Sequence, residues 1–169
     1  ALEQPVAPAG KYRFGKVTIS SDKRLFGARH LQRIARFDPG EIYQQSDVDD
    51  LRRAIIATGL VSTVKVVPVA ASPPQGDEPG VVDVAVEAIA APFRTIAGEL
   101  GYGTGEGFRS EISWEHRNFF PPEGLVRARG VAGTQEQLIN LVYRRNNFRA
   151  RDQVLTTQVL ASNIDRAAF

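Results

Sequence analysis

From Phe93 to Phe169 the chain is an almost unbroken series of alternating amphipathic strands and turns, and no other feature constrains its fold as much. The clearest case places Phe108, Ser110, Ile112, Trp114 and His116 on one side of a strand, with Arg109, Glu111, Ser113, Glu115 and Arg117 on the other. Side chains of a strand point alternately to opposite faces, so this pattern makes one apolar face and one charged face. Water cannot be left against such an apolar face over several strands; it must be covered, or the sheet must close on itself. The strand candidates are Phe93–Gly103, Phe108–Phe119, Leu125–Gly133, Leu138–Asn146 and Val154–Asn163. Each has about ten residues, near the length of a tilted membrane-spanning strand. Turn chemistry separates them at Thr104–Gly107, Pro121–Gly124, Gly133-Thr134 and Asn146-Asn147. The pattern is still running at Phe169, so the chain is expected to be a piece cut inside a β-barrel. One sheet of a soluble sandwich alternates in the same way, and that reading stays open on the pattern alone.

Before Pro92 the chain mixes helix and strand. Residues 1–10 (ALEQPVAPAG) have the composition of a linker. Lys11–Ser20 alternates as a strand, with Tyr12, Phe14 and Lys16 on one side and Arg13, Gly15, Val17 and Ile19 on the other. Gly27–Phe37 carries Leu31, Ile34 and Ala35 at helical spacing, and Asp38-Pro39-Gly40 stops it. A second helix is predicted from an N-cap at Ser46, with Val48, Leu51, Ala54, Ile55 and Thr58 as its buried stripe and Gly59 at its C-terminal cap. Leu60–Val69 reads as a strand, and Pro68 near its end suits a sheet edge. A polar loop at Ala71–Pro79 leads to Gly80–Ile89, whose Val82, Val84 and Val86 alternate with Asp83, Ala85 and Glu87. The order β-α-α-β-β suffices for a small two-layer α+β domain.

Formal net charge is only +2, from 21 basic and 19 acidic residues, and the arginines alternate with acids. That gives no basic stripe and no reason to expect a nucleic-acid partner. There are no cysteines, so disulfides, thiol catalysis and cysteine–zinc clusters are excluded while the compartment stays open.

Two sets of residues carry a resemblance. Phe37–Tyr43 (FDPGEIY), the helix around Leu51, the joint Gly59–Val64 (GLVSTV) and Val82–Glu87 resemble a POTRA (polypeptide-transport-associated) domain. Leu100–Gly107 (LGYGTGEG), followed by Ser113–Phe120 (SWEHRNFF), looks like the opening strands of the bacterial surface-antigen barrel. Together, over about residues 11–165, they resemble the outer-membrane barrel assembly family (TamA/BamA-like), most closely its TamA type. The chain departs from the family at Pro121-Pro122, where glycines are commoner, and at Leu60-Val61, where an aromatic is usual. The resemblance implies a last POTRA domain at residues 11–91 in the periplasm. Residues 92–169 would then be the first strands of a 16-stranded transmembrane barrel. It implies work on unfolded outer-membrane or autotransporter clients, contact with outer-membrane lipid, and an inner-membrane or periplasmic partner reached through upstream domains.

Enzyme chemistry is not expected. The cluster Gly101–Gly107 does not fit a dinucleotide or phosphate loop and leads into a strand, not a helix N-terminus. His30 and His116 have no paired ligand spacing, and Glu111 and Glu115 stand among arginines on one strand face. Neither a cofactor nor a metal is implied. What remains is backbone chemistry. Leu60, Val64, Lys65 and Val66 mark an edge able to accept a client strand by β-augmentation. Ile96, Gly98, Leu100, Gly101, Tyr102 and Gly103 mark a glycine-weakened first barrel strand, which by resemblance forms one side of a lateral seam. The isolated chain is expected to self-associate through strand edges. The rival from another class is a soluble periplasmic binding or scaffold protein with a self-contained β domain.

Overall fold

A computed structural model of the chain describes residues 11–105 and 107–165. The expected linker, residues 1–10, lies outside the described residues, as does the extreme C-terminus. The chain divides into two compact units between Ala91 and Pro92, where the sequence pattern changes.

The first unit comprises β1 (Tyr12–Ser21), α1 (Ala28–Ile34), α2 (Gln45–Ala57), β2 (Val61–Ser72) and β3 (Gly80–Ala90). Its sheet has the order β1-β3-β2, with β1 parallel and β2 antiparallel to the central β3. Central β3 is the most regularly patterned strand: Val82, Val84, Val86 and Ala88 are buried while their neighbours are not. Leu31 and Ile34 of α1 and Val48, Leu51 and Ile55 of α2 complete the core, joined by Leu25, Phe26 and Phe37. Phe37 stacks on Phe14 with ring centroids 3.8 Å apart. Gly59, at φ +66°, ends α2 in the left-handed conformation that glycine adopts at least cost.

Three local expectations change. Strict alternation would separate Phe14 from Val17, yet both are buried. A bulge between them inserts an extra residue into β1 and returns Val17 to the core face. Asp83 fits this bulge: its Oδ1 accepts the Lys16 N–H at 2.9 Å, and Gly15 leaves the space that Asp83 occupies. The first helix is shorter than predicted and stops at Ile34. The second begins at Gln45 with Gln44 as its N-cap and no side-chain cap bond, so Ser46 is inside the helix. The preceding loop explains that early start. The Tyr43 N–H donates to the Tyr12 carbonyl and ties the loop to β1 immediately before the helix.

The second unit is a five-stranded antiparallel sheet in simple order: β4 (Arg94–Gly103), β5 (Gly107–Phe120), β6 (Gly124–Gly133), β7 (Glu136–Arg145) and β8 (Leu155–Ile164). All four pairings join sequence neighbours, as hairpin turns allow. The register across the sheet runs Ile96, Trp114, Ala128, Leu141, Val159, and one pleat further Gly98, Ile112, Gly130, Ile139, Ala161. These rows share one face. The sheet is open, with β4 and β8 at its edges.

Candidate functional site

The site is built from strand edges and a sheet face. In the first unit the two edges are treated differently. The outer side of β1 is occupied at one end, because Phe14 donates to the Glu41 carbonyl at 2.8 Å and Gly40 donates to the Phe14 carbonyl at 2.7 Å. The outer side of β2 has no strand partner among the described residues.

Which groups of β2 face outward follows from three separate observations. The Gly80 N–H points to β1, since it bonds the Lys11 carbonyl at 3.0 Å. Along a strand the backbone groups of successive residues point to alternate sides, so in β3 Asp83, Ala85 and Glu87 face β2. Their register partners Val69, Val67 and Lys65 are therefore the residues bonded inward. The Ala91 N–H, bonded to the Leu60 carbonyl at 2.9 Å, obeys the same parity. So does Pro68, which has no N–H and interrupts nothing in the ladder. Among the described residues Val64, Val66 and Ala70 thus present unpaired N–H groups, and these residues together with Pro68 present unpaired carbonyls.

This sorts the residues expected at the client edge. Val64 and Val66 offer backbone groups there, with the Val64 side chain buried. Lys65 bonds inward and contributes only its side chain, whose Nζ lies 3.9 Å from Glu87. Leu60 does not belong to the edge: it precedes the strand, its side chain is fully buried and its carbonyl is taken by Ala91. Alternation alone could not separate Leu60 from the strand it introduces.

In the second unit all six expected seam residues fall on the edge strand β4. Ile96, Leu100 and Tyr102 stand on the apolar face and are 73%, 77% and 79% exposed. Gly98 shares their face, whereas Gly101 and Gly103 fall on the other. Ten consecutive residue pairs join β4 to β5 without a bulge.

The charged face is cross-linked. Glu111 receives Arg129 through two bonds, Nε at 2.6 Å and Nη2 at 2.8 Å, and Arg109 at 2.9 Å. Glu115 receives Arg127 Nε at 2.8 Å and Arg117 Nε at 3.3 Å. These forked pairs span β5 and β6 and fix the relative position of the two strands.

The apolar face has aromatic residues toward both ends. At one end Trp114, His116, Phe119, Phe120 and Tyr143 form a chain of ring contacts with centroids 4.9–6.2 Å apart. At the other, Tyr102 faces Phe108 across the β4–β5 pair. From Phe108 to His116 is about 27 Å of strand at ~3.4 Å per residue, or roughly 20 Å along the axis at the usual barrel tilt. That is on the order of the apolar band of a membrane barrel.

One feature went unforeseen. Glu123, in the β5–β6 turn, is only 2% exposed. Its N–H donates to the Asn118 Oδ1 at 3.0 Å, and both its carboxylate oxygens accept from Asn147 Nδ2, at 3.0 and 3.1 Å. Asn147 Oδ1 in turn accepts the Asp152 N–H at 3.0 Å. This bolts two adjacent turns together. Asn118 sits inside the SWEHRNFF motif, the one signal that pointed to it. The two histidines lie in different units: His30 packs against Phe26, and His116 accepts the Asn118 N–H.

No protein-family model matches the chain, and neither does any curated protein. Among solved structures it is similar to BamA from Haemophilus ducreyi lacking POTRA domains 1–3, at 20% identity and a TM-score of 0.72. The likeness covers 96% of this chain and 29% of that one, so the chain spans less than a third of its structural neighbour. At that identity the likeness is one of fold: over nearly its whole described length, the chain is built like part of BamA.

Proposed function

We propose that the chain is part of an outer-membrane protein assembly or translocation factor. The second unit is a segment of its membrane-embedded barrel wall, and the first is a POTRA-like domain in the periplasm. The observation that carries this reading is the two-faced open sheet. One face is apolar with aromatic residues toward both ends of a membrane-sized band, and the other is tied by arginine–glutamate forks. A soluble domain would expose an apolar patch far larger than the ~400 Å² that monomers tolerate. In a barrel the same face meets lipid and the forks line the interior. The fold likeness to BamA supports the same assignment.

In this reading the chain works through backbone groups and not through catalysis. The outer edge of β2 accepts a strand of an unfolded outer-membrane or autotransporter client at Val64 and Val66, by hydrogen bonds that do not depend on the client's sequence. The β4 edge forms one side of a lateral seam. Inner-membrane or periplasmic partners engage through regions upstream. Membrane partition of the protein tests the reading. It should stay with the membrane after a urea or carbonate wash and need detergent for extraction. A protein recovered in the aqueous phase without detergent refutes the barrel and favours a periplasmic scaffold.

A further inference from the structure

Arginines are distributed unevenly along the apolar face. At the end where β4 begins, Arg94 shares a cross-strand row with His116, Val126 and Tyr143. Arg145 lies one pleat beyond Tyr143 on the same face, and its guanidinium stands 5.9 Å from the centroid of the Phe148 ring. Arg149, in the loop between β7 and β8, stands 5.5 Å from the same centroid. Among the described residues none of the three has an ion-pair partner, in contrast to Arg109, Arg117, Arg127 and Arg129 on the charged face. Arg151 is not counted with them, since its Nε lies 3.8 Å from Asp152. At the opposite end the same face shows Tyr102, Phe108, Gln137 and Asn163, without a cation among the described residues.

A membrane wall needs no cation on its lipid side, and the apolar middle of the face has none. Three uncompensated arginines beside an aromatic belt, at one end of the described sheet, match one environment. That is the headgroup layer of a phospholipid leaflet, where guanidinium groups can fork onto phosphate oxygens and aromatic rings sit at the boundary. Strands β4 and β7 are separated by β5 and β6, and Arg145 lies one pleat beyond the Arg94 row, so the two backbone positions stand about 16 Å apart at ~4.8 Å per strand and ~3.4 Å per residue. That spacing suits separate headgroups.

We propose that Arg94, Arg145 and Arg149 form a belt that binds the headgroups of anionic phospholipids in the leaflet at the Arg94 end of the sheet. The proposal rests on the barrel-wall reading above. It adds which leaflet-facing residues select the lipid, and which lipid charge they select. Each arginine at such a surface raises local anionic lipid by up to about fivefold at low salt, and the gain should fade near ~1 M salt, where screening acts within ~3 Å.

The only tryptophan, Trp114, is a built-in reporter, since it lies in the aromatic cluster with His116 and Phe119. The protein is reconstituted into phosphatidylcholine vesicles doped with acyl-dansyl phosphatidylglycerol or acyl-dansyl phosphatidylcholine, and tryptophan-to-dansyl transfer is read. Wild type should favour the phosphatidylglycerol probe several-fold. The triple variant R94Q/R145Q/R149Q should lose that preference, and the matching triple lysine variant should keep most of it. R149Q alone, outside the strands, should lower it partially and leaves the strand pairing untouched. Equal transfer from both probes in wild type overturns the proposal, as does a preference that survives the triple glutamine change. Loss of the preference to millimolar inorganic phosphate also overturns it, by revealing a free-anion site. No transfer from either probe would remove the barrel wall itself, a failure distinct from equal transfer.

Discussion

The parity of β2 makes a prediction that two neighbouring residues should respond in opposite ways to the same substitution. Val66→Pro removes an N–H that faces outward and leaves the inward ladder intact, so the fold should tolerate it as it tolerates Pro68. Lys65→Pro removes an N–H that faces Glu87 and drives the proline ring toward β3. A lost ladder bond with its partner left unsatisfied costs ~1–3 kcal/mol before any clash. A unit of this size holds only ~4–12 kcal/mol in total. Lys65→Pro should therefore unfold the first unit or lower its melting point steeply.

For strand capture the ranking reverses. The free edge from Val64 to Ala70 offers three N–H donors (Val64, Val66, Ala70) and four carbonyls (those residues and Pro68). At ~0.5–1.5 kcal/mol net per bond, an added strand gains about 4–10 kcal/mol before the cost of ordering it. Val66→Pro deletes the middle donor next to the gap that Pro68 already leaves. The lost bond and the intruding ring together should weaken binding at least tenfold, about 1.4 kcal/mol. Val66→Ala controls for the side chain. The assay is fluorescence anisotropy of a labelled ten-residue peptide of alternating valine and threonine, with circular dichroism of each variant. If Val66→Pro binds the peptide as wild type does, the β2 edge is not the capture site. If Val66→Pro unfolds the unit while Lys65→Pro does not, the assigned parity is reversed.

Other perturbations follow from the packing. Leu51→Ala, at a fully buried position of α2, should destabilise the first unit by about 3 kcal/mol, read by urea unfolding. Gly15→Val should cost ~1–3 kcal/mol, because its new Cβ meets Asp83 and comes within 2.9 Å of Val81 Cγ1 at the bulge; an unchanged midpoint would disprove that contact. Asn118→Ala removes the acceptor of the buried Glu123 N–H and should accelerate amide exchange in both the β5–β6 and β7–β8 turns, whereas a purely local role would speed only the first. The isolated chain, refolded without detergent, should form oligomers by light scattering; a monomer with Ile112, Ile139 and Leu141 still exposed would contradict the membrane-wall assignment.

The strands of the second unit were legible almost to the residue, because a period of two bounded by glycine, proline and asparagine turns leaves little room for another register. Val82, Val84 and Val86 were legible for the same reason. Phe14 and Val17 were not: a bulge lets two residues three apart share a face, and its determinant, Asp83, lies far away in sequence on another strand. The helix start at Gln45 was hidden because the preceding loop spends its backbone groups on β1, a tertiary constraint that outweighs the capping preference of Ser46. Leu60 looked like strand because it is apolar and adjoins one. Only the Ala91 bond shows that its carbonyl is already used. Glu123 was missed because a turn glutamate is ordinarily solvated, and burial here depends on Asn118 and Asn147 converging on it.

The treatment of edges ties the two units to one kind of work. A free strand edge invites association, and proteins blunt it by covering it, charging it or interrupting it. Here β1 is covered at one end by the segment around Gly40–Tyr43, while β2, β4 and β8 are left open among the described residues. The open edges are guarded in different ways. β2 carries Pro68, which confines uninterrupted N–H donors to Val64 and Val66 and so would limit the length of any added strand. β4 has no proline, only glycines at positions 98, 101 and 103, which weaken side-chain packing without removing a single donor. A docking edge for transient clients needs the first design, because affinity must stay low enough for transfer. A seam that must reseal along its whole length needs the second, because every backbone bond must be recoverable. Under the proposed function the proline-limited edge suits capture at β2 and the glycine-softened one suits opening at β4, and exchanging the two devices should exchange the behaviours.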